Sequence, residues 1–211
     1  MDSGAVMTRR NDHHEGHDDA LARAVARCLF EDDTLDWNGA FVAARRILGV
    51  SVRDAMPSQA RVRRHLEALE EVRLGAEEAC LARRARVVRI VEVLEFVRFV
   101  LEPAEILVVG LLAQGVVVGP LEVHVRVLEG RSFQGLFDQL ESVGIKEVSA
   151  SSTVGPLGRF ESVRFDSDGE AFTLTRIPQG HCAITHERNL VTGKPIAQET
   201  LETFSQFFAS S

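Results

Sequence analysis

Reactive side chains are sparse in this chain, and their spacing selects few kinds of chemistry. In the run Leu121 to Leu128 (LEVHVRVL), strict alternation puts Leu121, Val123, Val125 and Val127 on one face of a strand and Glu122, His124 and Arg126 on the other. A carboxylate and an imidazole two residues apart on one face can share a metal ion, or the imidazole can serve as a base near neutral pH. Spacing alone assigns His124 no Ser, Cys or carboxylate partner. The same three side chains also suit a solvent-facing strand surface with cross-strand pairing, or the floor of a pocket that binds without reacting. His181 and His186 flank Cys182 in HCAITHER, which reads as a strand-and-loop region with incidental histidines, metal binding being the alternative. His13, His14 and His17 sit among carboxylates near the N-terminus, where a loose transition-metal site would lack fixed geometry.

Other common chemistries are missing from the text of the sequence. It has no GxxxxGK[ST] loop, no GxGxxG after a strand, no GxSxG elbow and no HExxH helix. Phosphate-loop kinases and ligases, α/β-hydrolases and zinc proteases are therefore poor readings. Gly193-Lys194-Pro195 lacks the upstream glycine of a phosphate loop and reads as a tight turn.

The elements that must position Glu122 and His124 follow from periodicity and punctuation. Residues 1–18 carry almost no apolar content, which predicts a disordered tail. From Asp19 a helical pattern runs through Leu21, Val25, Cys28 and Leu29. A second helix is predicted from a cap at about Asn38 to Gly49, and a third after Pro57 and Ser58, with Val62, Leu66 and Leu69 in register and Gly75 as its stop. Ala76 to Leu101 is rich in β-branched residues, yet Arg86, Arg89, Glu92, Glu95 and Arg98 recur every three residues, which keeps them near one stripe of a long helix ended by Pro103. Beyond it come a strand at Glu105 to Gly110, the strand at 121–128, a helix at 132–143 and a hairpin of 159–165 and 171–177 around Asp168-Gly169. A last amphipathic helix is predicted from Gln198 to Phe208. The expected fold class is α+β: a mixed β-sheet with flanking helices over 81–211, preceded by a helical N-terminal region over 19–80.

Val109-Gly110-Leu111-Leu112-Ala113-Gln114-Gly115, with Glu122-Val123-His124-Val125 after it, resembles the core of the DNA polymerase β-like nucleotidyltransferase superfamily. There a strand ends in Gly-Gly or Gly-Ser, a short helix follows, and a second strand presents two carboxylates one residue apart. Here ten residues separate Leu111 from Glu122. More of the chain, from about Ala20 to Phe208, is similar to a bacterial group of uncharacterised nucleotidyltransferase-like proteins, through Leu35-Asp36, Ala43-Ala44-Arg45, Glu122-Val123-His124 and Val191-Thr192-Gly193-Lys194-Pro195-Ile196.

The resemblance implies a sheet whose catalytic positions are Glu122, His124 and, on the strand Ala171–Ile177, Thr173. Gly110, Leu111 and Arg126 would be ligand-binding. It also exposes a departure. Transfer of a nucleotidyl group needs two divalent ions, usually magnesium, held by three carboxylates. One carboxylate in three positions supplies too little charge, magnesium binds imidazole poorly, and Leu111 stands where a small polar residue contacts phosphate. The expectation is a degenerate nucleotidyltransferase with a binding or regulatory role, its partner a nucleotide or a protein, with no metal site or cofactor assigned. An active magnesium enzyme, completed by Glu161 or Glu170, is the alternative, and a structural interaction module with arginine-bearing helices the second.

Charge and cysteines narrow partner and compartment. Among 211 residues, 24 are Lys or Arg and 31 Asp or Glu, for a net charge of −7, which disfavours nucleic acid as a general partner. Only the segment 41–101 is basic, with 12 Arg against 8 acidic residues. Cys28, Cys80 and Cys182 are odd in number, widely spaced and outside any CxxC pattern, as in a reducing compartment. No signal peptide is recognisable, and the most apolar stretch, 106–119, is too short to span a bilayer. The expectation is a cytoplasmic protein without a membrane partner.

Overall fold

A computed structural model describes residues 8–32, 34–51, 55–128, 132–145 and 147–209, with side chains described between Asp18 and Gln206 in those ranges. The fold is α+β: among the described residues, seven α-helices and a six-stranded mixed sheet, the first helices preceding the sheet. No described helix is long and apolar enough to cross a membrane. The chain divides into two units, one of 1–81 with 118–120, the other of 82–117 with 121–211.

In the first unit α1 (Thr8–Glu31), α2 (Trp37–Leu48) and α3 (Gln59–Leu74) enclose a core of Leu21, Val25, Leu29, Ala40, Ala44, Val62 and Leu66. The starts of α1 and α2 differ from those expected. The tail expected to be disordered over 1–18 is helical from Thr8, while 1–7 and the side chains of His13, His14 and His17 fall outside the described residues. A helix nucleated by the packed turns at Leu21 and Val25 extends by one hydrogen bond per residue without a further nucleation cost, so polar residues can continue it. The cap of α2 is Asp36 rather than Asn38, which lies inside the helix. The Asp36 carboxylate accepts from the Gly39 N–H at 2.7 Å, and a charged acceptor satisfies that free donor well. Ser58 caps α3 as its position suggests.

Between α1 and α3, His65 Nε2 donates to Asp19 Oδ1 at 2.9 Å. That bond holds the Asp19 carboxyl below the usual carboxylate range, aided by the nearby charges of His65 and Arg23. A depressed folded pKa adds stability that is present above the unfolded value of about 3.9 and lost as pH falls through the folded one. Asp19→Asn should therefore lower the melting temperature modestly near neutral pH and flatten its acid limb, so that the variant and the parent converge at low pH.

The second unit is built on β1 (Glu105–Val109), β2 (Glu122–Leu128), β3 (Ser149–Gly155), β4 (Gly158–Ser167), β5 (Glu170–Ile177) and β6 (Gln198–Thr200), in the spatial order β3-β4-β5-β2-β1-β6. Only β2 and β5 run parallel; the other neighbours are antiparallel. Strand alternation gives the sheet two unlike faces. Ile106, Val108, Val123, Val125, Val127, Val163, Phe165, Phe172 and Leu174 face a layer made by α4 (Ala76–Val100), α5 (Gln134–Ser142) and α7 (Leu201–Ala209), through Val87, Ile90, Leu94, Val97, Leu136, Leu140, Leu201 and Phe204. The opposite face carries Glu122, His124, Arg126, Thr173, Thr175, Ser162 and Arg164.

Two strands lack a sequence signal. β3 (SASSTVG) is exposed along most of its length and shows no alternation; its seven-pair ladder to β4 holds it. β6 takes the first three residues of the segment expected to be wholly helical, because they complete the free edge of β1, and α7 begins only at Leu201. The hairpin turn at Asp168-Gly169 has positive φ at both residues, as a two-residue turn of matching twist requires.

Leu94 is completely buried in the helix layer, so Leu94→Asp would bury a carboxylate with no counter-charge. Its expected cost is about 3–5 kcal/mol, read as lost solubility or a collapsed denaturant midpoint. Val88→Asp, on an exposed position of the same helix, should be tolerated.

Candidate functional site

Parallel pairing of β2 with β5 sets His124 opposite Thr173 and Arg126 opposite Thr175. Antiparallel pairing of β5 with β4 adds Arg164 beside Thr173 and Ser162 beside Thr175. The three positions assigned from the sequence are thus brought together. Thr173 Oγ1 donates to Glu122 Oε1 at 2.8 Å, Arg164 Nη2 stands 3.3 Å from the same oxygen, and His124 Nε2 lies 3.6 Å from Oε2. Glu122 and His124 are both about half exposed, which fits cross-strand pairing at a solvent-facing surface.

The electrostatics of this cluster oppose a divalent cation. Its single carboxylate accepts a hydroxyl proton and has a guanidinium within ion-pair distance, so its charge is largely answered before any metal arrives. Glu161 and Glu170 cannot supply more, because both project from the other face of the sheet. Glu161 pairs with Arg176 at 3.0 Å. Glu170 is 6% exposed and receives a two-pronged hydrogen bond from Arg86, whose Nη2 reaches Oε2 at 2.7 Å and whose Nε also donates, while Arg86 Nη1 donates to the Val117 carbonyl at 2.6 Å. The site does not fit a two-magnesium centre. Among the described residues no three His, Cys, Asp or Glu side chains gather as a metal would need.

Arg126 departs from the expected exposed face: it is 3% exposed. Nη1 donates to the Thr185 carbonyl at 2.6 Å and to Gln198 Oε1 at 3.1 Å, and Nη2 donates to the Arg188 carbonyl. Burial alone pulls its pKa down. The cover responsible is the segment 178–197, which folds over the polar face after β5. Leu190 anchors it against Phe160 and Ile177, and its approach requires a glycine on β3, since a Cβ at Gly155 would overlap the Leu190 carbonyl oxygen. The segment closes in a tight turn at Gly193: Asn189 Oδ1 accepts from the N–H groups of Val191 and Thr192, and the Asn189 N–H donates to the Lys194 carbonyl at 2.7 Å.

Gly110 and Leu111 lie elsewhere on this frame. Gly110 leaves β1 at a positive φ of 81°, and its N–H donates to the Ala197 carbonyl at 2.9 Å, so that amide is already committed. Leu111 begins the single turn Leu112–Gln114. His181, Cys182 and His186 do not converge on one point. His181 packs edge-on against Phe160, Cys182 opens the short helix α6 (Cys182–Thr185), and His186 Nδ1 meets Gln198 Nε2 at 2.7 Å. This helical turn replaces the strand-and-loop expected there.

The sequence missed the pocket that this cover creates. Val109, His124, Arg126, Thr153, Thr173, Thr175, Asn189 and Ile196 are among its walls, around a volume of about 150 Å³. Its sequence signal is the Ser and Thr at alternate positions of β3 and of β5, with Ser162 on β4, whose neighbours in space become evident only from register. The chain matches no known protein family, no curated protein and no solved structure.

The Arg86–Glu170 pair yields a direct expectation. Arg86→Met strands the buried Glu170 carboxylate and should destabilise by roughly 3–5 kcal/mol, whereas Glu170→Ala leaves a partly exposed Arg86 still bonded to the Val117 carbonyl and should cost less. Glu122→Gln, at a half-exposed pair, should cost no more than about 1 kcal/mol. Denaturant unfolding of the three variants separates the structural carboxylate from the one at the candidate site.

Proposed function

We propose that the chain is a catalytically degenerate relative of the DNA polymerase β-like nucleotidyltransferases, which binds a nucleotide or related ligand and acts by binding rather than by transfer. The order β5-β2-β1, with β2 and β5 parallel and a glycine at positive φ ending β1, supports the kinship. The observation that carries the loss of catalysis is the state of Glu122. It is the one carboxylate of the cluster, and Thr173 and Arg164 already occupy it.

Without opposing carboxylates, two metal ions cannot be held for in-line attack on a triphosphate, and positioning with charge neutralisation is nearly all that such a reaction asks of the protein. What survives is a polar, cation-bearing sheet face suited to binding. His124 could take a proton from an attacking hydroxyl only if a second group activated the phosphorus, and the cluster offers none.

A protein partner is the second reading. Val42, Ile47 and Leu48 of α2 are exposed aliphatic side chains, and a partner could cover them.

Single-turnover assays with each common nucleoside triphosphate and magnesium or manganese should give no nucleotidyl transfer, while a nucleotide should raise the melting temperature. Transfer that is abolished by Glu122→Gln would overturn the proposal and establish an active enzyme. Absence of both transfer and nucleotide binding would leave the protein-partner reading.

A further inference from the structure

Arg126 is a buried cation whose hydrogen bonds all end on neutral oxygens. Of the five N–H groups of a guanidinium, three donate to Thr185, Gln198 and Arg188. Among the described residues no carboxylate stands within ion-pair distance of it. A charge taken out of water without a counter-charge is costly, and carbonyl dipoles answer it only in part.

The pocket beside it has the complementary chemistry. Besides Arg126 it is lined by His124, Thr153, Thr175 and Asn189, and none of its lining residues is acidic. Thr153, Ser162 and Thr175 form a triangle of hydroxyls 2.8 to 3.4 Å apart, whose protons can rotate toward an acceptor. Because Asn189 Oδ1 is taken by two backbone N–H groups, its remaining side-chain donors are on Nδ2. Size decides between whole molecules and groups: about 150 Å³ is below the roughly 300 Å³ at which pockets for drug-sized ligands begin. The space can enclose a tetrahedral oxyanion, whereas a nucleoside attached to it would have to lie outside.

We infer that the pocket formed by His124, Arg126, Thr153, Thr175 and Asn189 beneath the 189–196 turn binds one phosphate group, either as inorganic phosphate or as the phosphate of a small monoester. This deepens the binding role proposed above but rests on a separate observation, the unanswered charge of Arg126. The anion would complete the charge balance of Arg126 and tie the covering segment to β2, β3 and β5.

The test is titration of the full chain with sodium phosphate at constant ionic strength, followed by thermal unfolding and by 31P line broadening. Parallel arms use AMP and ATP. A saturable rise in melting temperature of several degrees is expected by mass action, with phosphate affinity weakened about tenfold or more in His124→Leu and in Arg126→Gln. Since Arg126 also anchors the 185–188 backbone, Arg126→Gln can fail to fold; His124→Leu and Thr153→Val leave that anchor intact and carry the test alone. No response to phosphate, or a response unchanged in His124→Leu and Thr153→Val, overturns the inference. The two proposals fail separately. ATP binding that ignores phosphate and these substitutions keeps the nucleotide reading and removes the anion site; phosphate binding without any response to AMP or ATP does the reverse and identifies the free anion as the ligand. AMP that competes with phosphate supports both and identifies the monoester.

Discussion

The parallel register of β2 and β5 is the constraint on which the second unit depends. Val123, Val125 and Val127 must face the helix layer, and once they do, a period of two leaves Glu122, His124 and Arg126 no choice of face. β5 obeys the same rule with Phe172 and Leu174 inward, so Thr173 and Thr175 arrive beside His124 and Arg126. A slip of one residue would bury the charged row against Leu94 and expose the valines. The polar site is therefore fixed by the apolar core behind it, through some 20 buried side chains on the other face.

Two buried charges on this frame are handled in opposite ways. Glu170 and Arg86, 84 positions apart in sequence, form a bidentate pair, the geometry in which a buried ion pair comes closest to recovering its desolvation cost. Arg126 receives only carbonyl and amide oxygens. The first unit contains a buried arginine as well, but Arg63 stacks on Trp37 and donates to the Val118 and Pro120 carbonyls. An aromatic face offers a cation partial compensation. Arg126 has no aromatic neighbour of this kind among the described residues, and beside it lie hydroxyls that add donors rather than negative charge.

Legibility in the sequence followed the strength of periodic signals. The long helix α4 was readable because charged residues every three positions outweighed a β-branched composition, and the strand at 122–128 because its alternation is unbroken. The Asp168-Gly169 turn was readable from its residues alone. β3 and β6 were not, since neither has an apolar face of its own; one is held by its ladder to β4 and the other by the edge of β1. Caps are read least surely where several polar residues adjoin, as Asp36 and Asn38 do, because only the carboxylate that reaches Gly39 N–H distinguishes them.

The site shows the same division between local and non-local information. That Glu122, His124 and Arg126 share a face is a local property, legible from alternation. That Glu122 is answered by Arg164 and Thr173 is not, for it depends on two registers and on strands some 40 to 50 residues downstream. Nor does alternation reveal burial on a polar face: His124 and Arg126 are equivalent in the strand pattern, yet one is half exposed and the other buried in a pocket wall. The difference lies in the segment 178–197, whose course is set by Leu190 seated against Phe160 and by the absence of a side chain at Gly155. Packing of one leucine and one glycine thus turns an ordinary strand arginine into a buried charge, and a buried charge without a counter-charge is what gives the polar face a chemistry of its own.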